Sequence, residues 1–232
     1  MTNEEIKNIH ILMSRNVRYL KKVKKILTMD INKCLSKNDS FQLNIKIKYF
    51  SLLYSSVSEL QFLQILHTPF GFMHSEILRI QSERSLVDSW NLMVDLAISK
   101  VGNPTKRADL RDKKGKIKQI IKEYIEKPQE LRNKIAHGQW IHCLNSKNTK
   151  ENEDTTERVN KLNVVQISIW FEVHQYLCFI IRDLIQSPKK GFHNNYWSNL
   201  VKLEEFLRKS KNWTIEKRIE TLKQRLKKLE AK

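Results

Sequence analysis

The segment from Val164 to Gln186 reads VVQISIWFEVHQYLCFIIRDLIQ, and its interpretation decides the fold class. Its many β-branched residues are typical of a strand. A strand, however, has about 5 to 6 residues, and this segment is several times longer. We therefore predict a long helix that ends at Ser187-Pro188.

Apolar residues recur at helical spacing along nearly the whole chain. Only 5 Gly and 4 Pro are present, too few turn residues for a many-stranded sandwich or barrel. The expected fold is all-α, an up-and-down helical bundle with a C-terminal helical hairpin. Helices are predicted over about residues 3–34, 40–67, 75–101, 109–128, 129–137, 164–186, 198–209 and 213–231, with Pro128 either ending the fourth or beginning a new helix.

The predicted bundle occupies residues 1–187, and the hairpin forms an appendage over residues 188–232. In the last helix, apolar residues follow a 4-3-4-3 spacing over only two heptads, which favours packing on the same subunit over an intermolecular coiled coil. These residues are Ile215, Ile219, Leu222, Leu226 and Leu229. Residues 146–158 contain no apolar side chain, so we expect a solvated, mobile loop there.

The sequence favours a cytoplasmic protein. Its acidic N-terminus, MTNEEI, is unlike the basic start of a signal peptide. Cys34, Cys143 and Cys178 are odd in number and lack a short paired spacing, so no disulfide framework is expected. Glu172 and His174 interrupt the most apolar stretch, which makes a membrane span unlikely to form.

The chain carries 43 Lys and Arg against 25 Asp and Glu, a net charge of +18. Basic residues are concentrated in the first helix and around the start of the fourth, which favours contact with RNA or DNA. Such faces also occur where charge only keeps a protein soluble. The candidate RNA-binding residues are Lys21, Lys25, Lys113, Lys114, Lys116 and Lys134.

A motif lies in the segment PQELRNKIAHGQW, residues 128–140. Arg132 is followed directly by Asn133, and His137 lies between a small residue and Gly138. This pattern resembles the signature of the HEPN superfamily, an Arg, a polar residue that is often Asn, and a His four to six residues beyond the Arg.

The resemblance implies a helical bundle over residues 1–187 that acts as a homodimer, with two copies of the motif facing each other. Family members that keep the motif are commonly metal-independent endoribonucleases in toxin systems, antiviral defence or RNA processing. An antitoxin or defence protein is an implied partner, and no cofactor is implied. Where toxins silenced by a nucleotidyltransferase carry Tyr, this chain has Gln139, so control by AMP addition there is not expected.

The residue types suit RNA cleavage through the 2′-hydroxyl. A His such as His137 can transfer protons near neutral pH, and Arg132 supplies a charged fork for phosphate oxygens. Asn133 lies four residues before His137, on the same helical face, where its amide can orient the imidazole. Glu59 lies on the apolar side of the second helix, where a carboxylate needs a partner. Some HEPN ribonucleases have an acidic or polar residue of this helix near the Arg and His, so the resemblance implies that Glu59 orients Arg132 or the imidazole.

These residue types are also consistent with purely structural roles. Arg132 and Glu59 can form ordinary ion pairs, His137 can cap a helix, and Asn133 can bond to the backbone. His137, His142 and Cys143 lie close in sequence but do not match a zinc-binding spacing, so we expect no metal site. The alternative function is a catalytically inactive helical module that binds RNA or protein.

Overall fold

The computed structural model describes residues 1–186 and 192–230, and within these ranges it contains helices and no strand. The predicted all-α class is confirmed. The helices are α1 (Asn3–Lys37), α2 (Ser40–Leu66), α3 (His74–Gln81), α4 (Leu86–Val101), α5 (Ala108–Ile121), α6 (Lys127–Ala136), α7 (Glu153–Asn160), α8 (Val164–Gln186), α9 (Phe192–Ser210) and α10 (Ile215–Glu230), with a π-helical turn at Lys122–Glu126 between α5 and α6.

Helix α8 is the central element of the bundle, and its predicted range is confirmed. Within the described residues it is the one helix that could cross a bilayer by length and composition, and 61% of its most apolar window is buried inside the protein. That burial is typical of a core helix. The predicted end at Ser187-Pro188 and the predicted domain boundary lie outside the described residues.

Two apolar cores lie along α2 and α8. The first combines the C-terminal halves of α2 and α8 with α3, α4, α5 and α9, around the fully buried Trp90 and Met93. The second combines the N-terminal halves of α2 and α8 with α1, α6 and α10, around Phe50 and Phe171, whose rings are 5.2 Å apart. Both α2 and α8 therefore contribute to each core.

The C-terminal hairpin packs on both cores. Leu200 and Leu203 of α9 are buried in the first, whereas Ile215, Ile219 and Leu222 of α10 pack against the second. Packing on the same chain is therefore confirmed for these three α10 residues. The side chains of Leu226 and Leu229 lie outside the described part of the structure.

The single helix predicted over residues 75–101 is wrong, since the structure has two helices there. The interruption at residues 82–85 contains only exposed polar residues. Ser85 caps α4, because its hydroxyl accepts a hydrogen bond from the Asp88 amide at 3.1 Å. A Ser followed three residues later by Asp was the signal for this new start.

Of the two alternatives predicted for Pro128, the structure shows the second, in which the proline belongs to the first turn of a new helical segment. Helices α5 and α6 join through the π-helical turn, and Pro128 lies in the first turn of α6. Proline has no N–H to donate to the carbonyl four residues earlier, which here belongs to Tyr124. The hydroxyl of Tyr54 donates to that carbonyl instead.

The predicted mobile loop over residues 146–158 is wrong in its second half, which forms most of α7. Asn152 caps this helix by accepting from the Thr155 amide at 3.0 Å. Val159, just beyond the predicted loop, is fully buried and anchors the helix. Its carbonyl also accepts from the buried Lys48, whose pKa is lowered by desolvation.

Candidate active site

Helix α6 carries the motif and is held to the bundle by one of its sides. Leu131 and Ile135 are buried in the second core, four residues apart. This spacing leaves the neighbouring Arg132 and Asn133 on the outer side, where Arg132 is half-buried and Asn133 is exposed.

The C-terminus of α6 has the hydrogen bonds of a Schellman motif. Gly138 has a φ of 77° and donates to the Ile135 carbonyl at 3.1 Å, and Gln139 donates to the Lys134 carbonyl at 3.0 Å. Gly138 therefore terminates the helix, as predicted. His137 is the C-cap residue, directly before this glycine.

Arg132 and Glu59 form an ion pair between α6 and α2. The distance from Arg132 Nη2 to Glu59 Oε1 is 3.6 Å, and Gln129 Nε2 donates to the same oxygen at 3.4 Å. The Glu59 side chain is 41% exposed, so the expectation that it lies buried on the apolar side of α2 is wrong. Its contact with Arg132 is confirmed.

Asn133 contacts the arginine and not the histidine. Its Oδ1 accepts from Arg132 Nη1 at 3.2 Å, so together with Glu59 it fixes the guanidinium on the outer side of α6. The imidazole of His137 is exposed and, among the described residues, makes no hydrogen bond. The predicted orientation of the imidazole by Asn133 is therefore not seen, and regular helix ends at Ala136, one residue before His137.

The segment after His137 is held by side chains of α6. Lys134 Nζ donates to the Leu144 carbonyl at 2.6 Å, and Trp140 Nε1 donates to the Ile135 carbonyl at 2.8 Å. Gln139, at the position where some toxins have Tyr, accepts from the Leu144 amide at 2.8 Å. Lys134 therefore holds this segment and does not present a free ammonium to RNA.

Most of the other predicted RNA-binding lysines are buried or bonded to neighbouring side chains. Lys113 is buried, which is a correction, because an RNA contact needs an accessible ammonium. Lys114 lies 2.9 Å from Asp95, Lys116 pairs with Glu204, and Lys21 donates to Gln175 at 3.0 Å. Lys25 on α1 is exposed.

A groove that sequence reasoning missed begins at Glu59. It has a volume of about 390 Å³ and is lined by Phe62, Leu63, Gln81, Leu86 and Ser89 as well as Glu59. The interruption between α3 and α4 shapes one side of it. The capping signal at Ser85 could have revealed that interruption.

The cysteines and nearby histidines have separate environments. All three cysteines are free and buried. Among the described residues, no three His, Cys, Asp or Glu side chains come together in an arrangement that could hold a metal ion. His142 Nδ1 lies 2.9 Å from Glu151 Oε1, and hydrogen bonds from His142 and Thr156 lower the pKa of that carboxyl group.

No family model matches the sequence, and neither does any curated protein or solved structure. The likeness to the HEPN superfamily thus depends on the motif at Arg132, Asn133 and His137.

Proposed function

We propose that the protein is an endoribonuclease that cleaves RNA without a metal ion, as a HEPN-like homodimer in a toxin, antiviral-defence or RNA-processing system. The main support is the end of α6, where Arg132 is held by Glu59 while the imidazole of His137 is exposed and unbonded. This arrangement offers a fixed cation for phosphate and an accessible imidazole.

The reaction needs two proton transfers. One imidazole removes the proton of a ribose 2′-hydroxyl as its oxygen attacks the adjacent phosphorus. The bond from phosphorus to the 5′-oxygen breaks, and a protonated imidazole gives a proton to that leaving oxygen. The products are a 2′,3′-cyclic phosphate and a 5′-hydroxyl. Arg132 binds the non-bridging oxygens, where negative charge is concentrated in the transition state.

A twofold dimer would supply the second imidazole. Arg132 lies within α6 and His137 is its C-cap, five residues further on, so the two side chains of one chain need not point toward the same phosphate. Two chains would bring two of each residue to a shared groove. Phe41 and Tyr49 are exposed on α2, the helix that carries Glu59, and their burial would stabilise such a dimer.

The test is cleavage of a mixed-sequence RNA in EDTA by the wild type and by His137→Ala. We expect the substitution to reduce the rate by at least about 100-fold, since general acid–base catalysis contributes that much or more. His142→Ala is the matched control, because this second exposed histidine lies five residues further along. Equal cleavage by the wild type and His137→Ala would falsify the assignment.

The exposed face of α1 favours the second candidate function, a binding module without catalysis. Leu12, Tyr19 and Ile26 are exposed at intervals of seven residues, beside the exposed Arg15 and Lys22. A face that combines apolar and basic groups suits a macromolecular partner. RNA binding by a dimer without cleavage in the same assay would favour this function.

A further inference from the structure

A second candidate site is a cleft on a different side of α6. It has a volume of about 520 Å³, within the usual range for sites that bind small molecules. Its walls come from the π-helical turn, α6, α7 and α8. The apolar part of its lining consists of Tyr124, Leu131, Ile169 and Trp170.

Three cations surround this lining. Lys127 pairs with Glu123, and Lys161 pairs with Glu157. Arg158 donates from both Nη atoms to one Glu130 oxygen at 3.2 Å and lies 3.6 Å from Asp154, and its side chain is 33% exposed. Pairs of this exposed kind contribute about 0 to 1 kcal/mol each. An anionic ligand can therefore take over the cations at little cost, while Glu123 and Glu157 remain available to accept hydrogen bonds.

The lining also contains polar side-chain groups without partners. Among the described residues, no hydrogen bond is made by the Tyr124 hydroxyl, the Trp170 indole N–H or the Gln166 carboxamide. Trp170 is buried against the Tyr54 ring, with ring centroids 5.5 Å apart, so its position is fixed. Fixed aromatic groups with unused donors can bind a flat polar ring.

We propose that this cleft binds one ribonucleotide, either free or as part of an RNA strand. The base lies against Tyr124 and Trp170, the phosphate contacts Arg158 and Lys161, and the ribose hydroxyls donate to Glu157 or Glu123. Aromatic contacts suit a base, and guanidinium and ammonium groups suit phosphate. Phosphate alone would leave the aromatic lining unused.

The π-helical turn is a separate observation in favour of a site here. Such turns within α-helices occur frequently at functional sites. This one contributes Glu123 and Tyr124 to the cleft, and Leu131, which also lines it, directly precedes Arg132. An occupant would thus contact the helix that carries the proposed active site, although binding requires neither Arg132 nor His137.

The test measures binding to His137→Ala protein in EDTA by isothermal titration calorimetry. The probes are 5′-AMP, 5′-UMP and a five-nucleotide RNA, with adenosine and inorganic phosphate as partial ligands. We expect a nucleotide or the RNA to bind at least about tenfold more tightly than either partial ligand, and the double variant Arg158→Ala/Lys161→Ala to weaken that binding by about tenfold or more.

Lys33→Ala is the matched control. Lys33 is 71% exposed and pairs with Asp30 on α1. Lys161 is similarly exposed, at 74%, and pairs with Glu157 on α7. Gln166 is an exposed residue that lines the cleft. Gln166→Ala therefore changes the cleft without changing its charge, and it should also weaken binding of the nucleotide or RNA. Mononucleotide binding identifies a site for free nucleotides, and binding of the RNA alone identifies a subsite for a strand.

The proposal is overturned if no probe binds below about 10 mM, or if the double variant and Lys33→Ala bind equally well. The measurement does not involve RNA cleavage. Either of these results would therefore overturn the nucleotide-binding proposal without testing the nuclease proposal, which the cleavage assay tests separately.

Discussion

The Tyr54 hydroxyl donates a hydrogen bond to the Tyr124 carbonyl, the oxygen that would accept from the N–H of residue 128 in a regular α-helix and to which Pro128 has no N–H to donate. One side chain from α2 thus compensates for a proline inside the helix that leads to Arg132. This contact also fixes the π-helical turn against the second core, where the Tyr54 ring is buried.

Tyr54→Phe should lower the free energy of unfolding by about 1 to 3 kcal/mol, because it removes the hydrogen bond that the Tyr54 hydroxyl donates to the partly buried Tyr124 carbonyl. Urea denaturation measures the change. Tyr49→Phe removes a hydroxyl from an exposed ring of the same helix and should change stability by less than about 0.5 kcal/mol.

Pro128→Ala restores an N–H that can donate to Tyr124. In that background Tyr54→Phe should cost less than in the wild type, because the carbonyl regains a helical donor. A double-mutant cycle by urea denaturation gives the coupling energy. A coupling energy of zero would show that the proline and the tyrosine act independently.

Substitutions of the ion pair should separate positioning from catalysis. Arg132→Lys keeps the charge but loses the planar fork, so we expect kcat/KM for RNA cleavage to fall by about 10- to 100-fold. Glu59→Gln should cause a smaller loss, since the Asn133 contact with Arg132 remains. Glu4→Gln, which neutralises a 71% exposed carboxylate paired with Lys7 at the start of α1, is the control and should leave the rate unchanged. A larger loss for Glu59→Gln than for Arg132→Lys would contradict these roles.

Substitution of two glycines by alanine should change the stability of the protein in opposite directions. Gly138 has a φ of 77°, so Gly138→Ala should cost about 1 kcal/mol through backbone strain alone, because nothing lies within 4 Å of the added carbon. Gly115 lies inside α5 and is equally open, so Gly115→Ala should stabilise the protein by about 0.5 to 1 kcal/mol. Thermal denaturation of both variants checks the signs.

His174 should make stability depend on pH. Burial lowers its pKa to about 3 from 6.5, so the ring is neutral in the folded protein while the unfolded chain binds a proton below pH 6.5. Stability should therefore fall as pH falls from about 6.5 toward 3, by an amount of the order of 4 kcal/mol for this group. In His174→Gln, unfolding measured between pH 4.5 and 7 should show a weaker dependence than in the wild type.

The sequence predicted those helices whose apolar pattern is long. The range of α8 follows from its length and composition, and the end of α6 follows from Gly138. The interruption before Leu86 was missed because apolar spacing resumes after it nearly in phase. Helix α7 was missed because its anchor, Val159, lies one residue beyond the polar segment.

For the candidate site, the contact between Glu59 and Arg132 was a prediction from the resemblance to the HEPN superfamily, because the apolar pattern of α2 alone left any neighbouring Lys or Arg as the partner of Glu59. The sequence did not reveal which lysine ammonium groups are accessible. Lys134 donates to the Leu144 carbonyl, ten residues further along the chain, and Lys113 is buried. Nor did the sequence reveal the cleft beside Tyr124, which depends on the π-helical turn and on α7.

Helix α8 contributes one half of its length to each core, so neither core can open while the other keeps this helix in place. We therefore expect the amides at the two ends of α8 to exchange with deuterium at similar slow rates, through a shared opening of the whole molecule. A substitution that leaves a cavity at Phe171, in the second core, should then accelerate deuterium exchange of amides as far away as Leu184, in the first core.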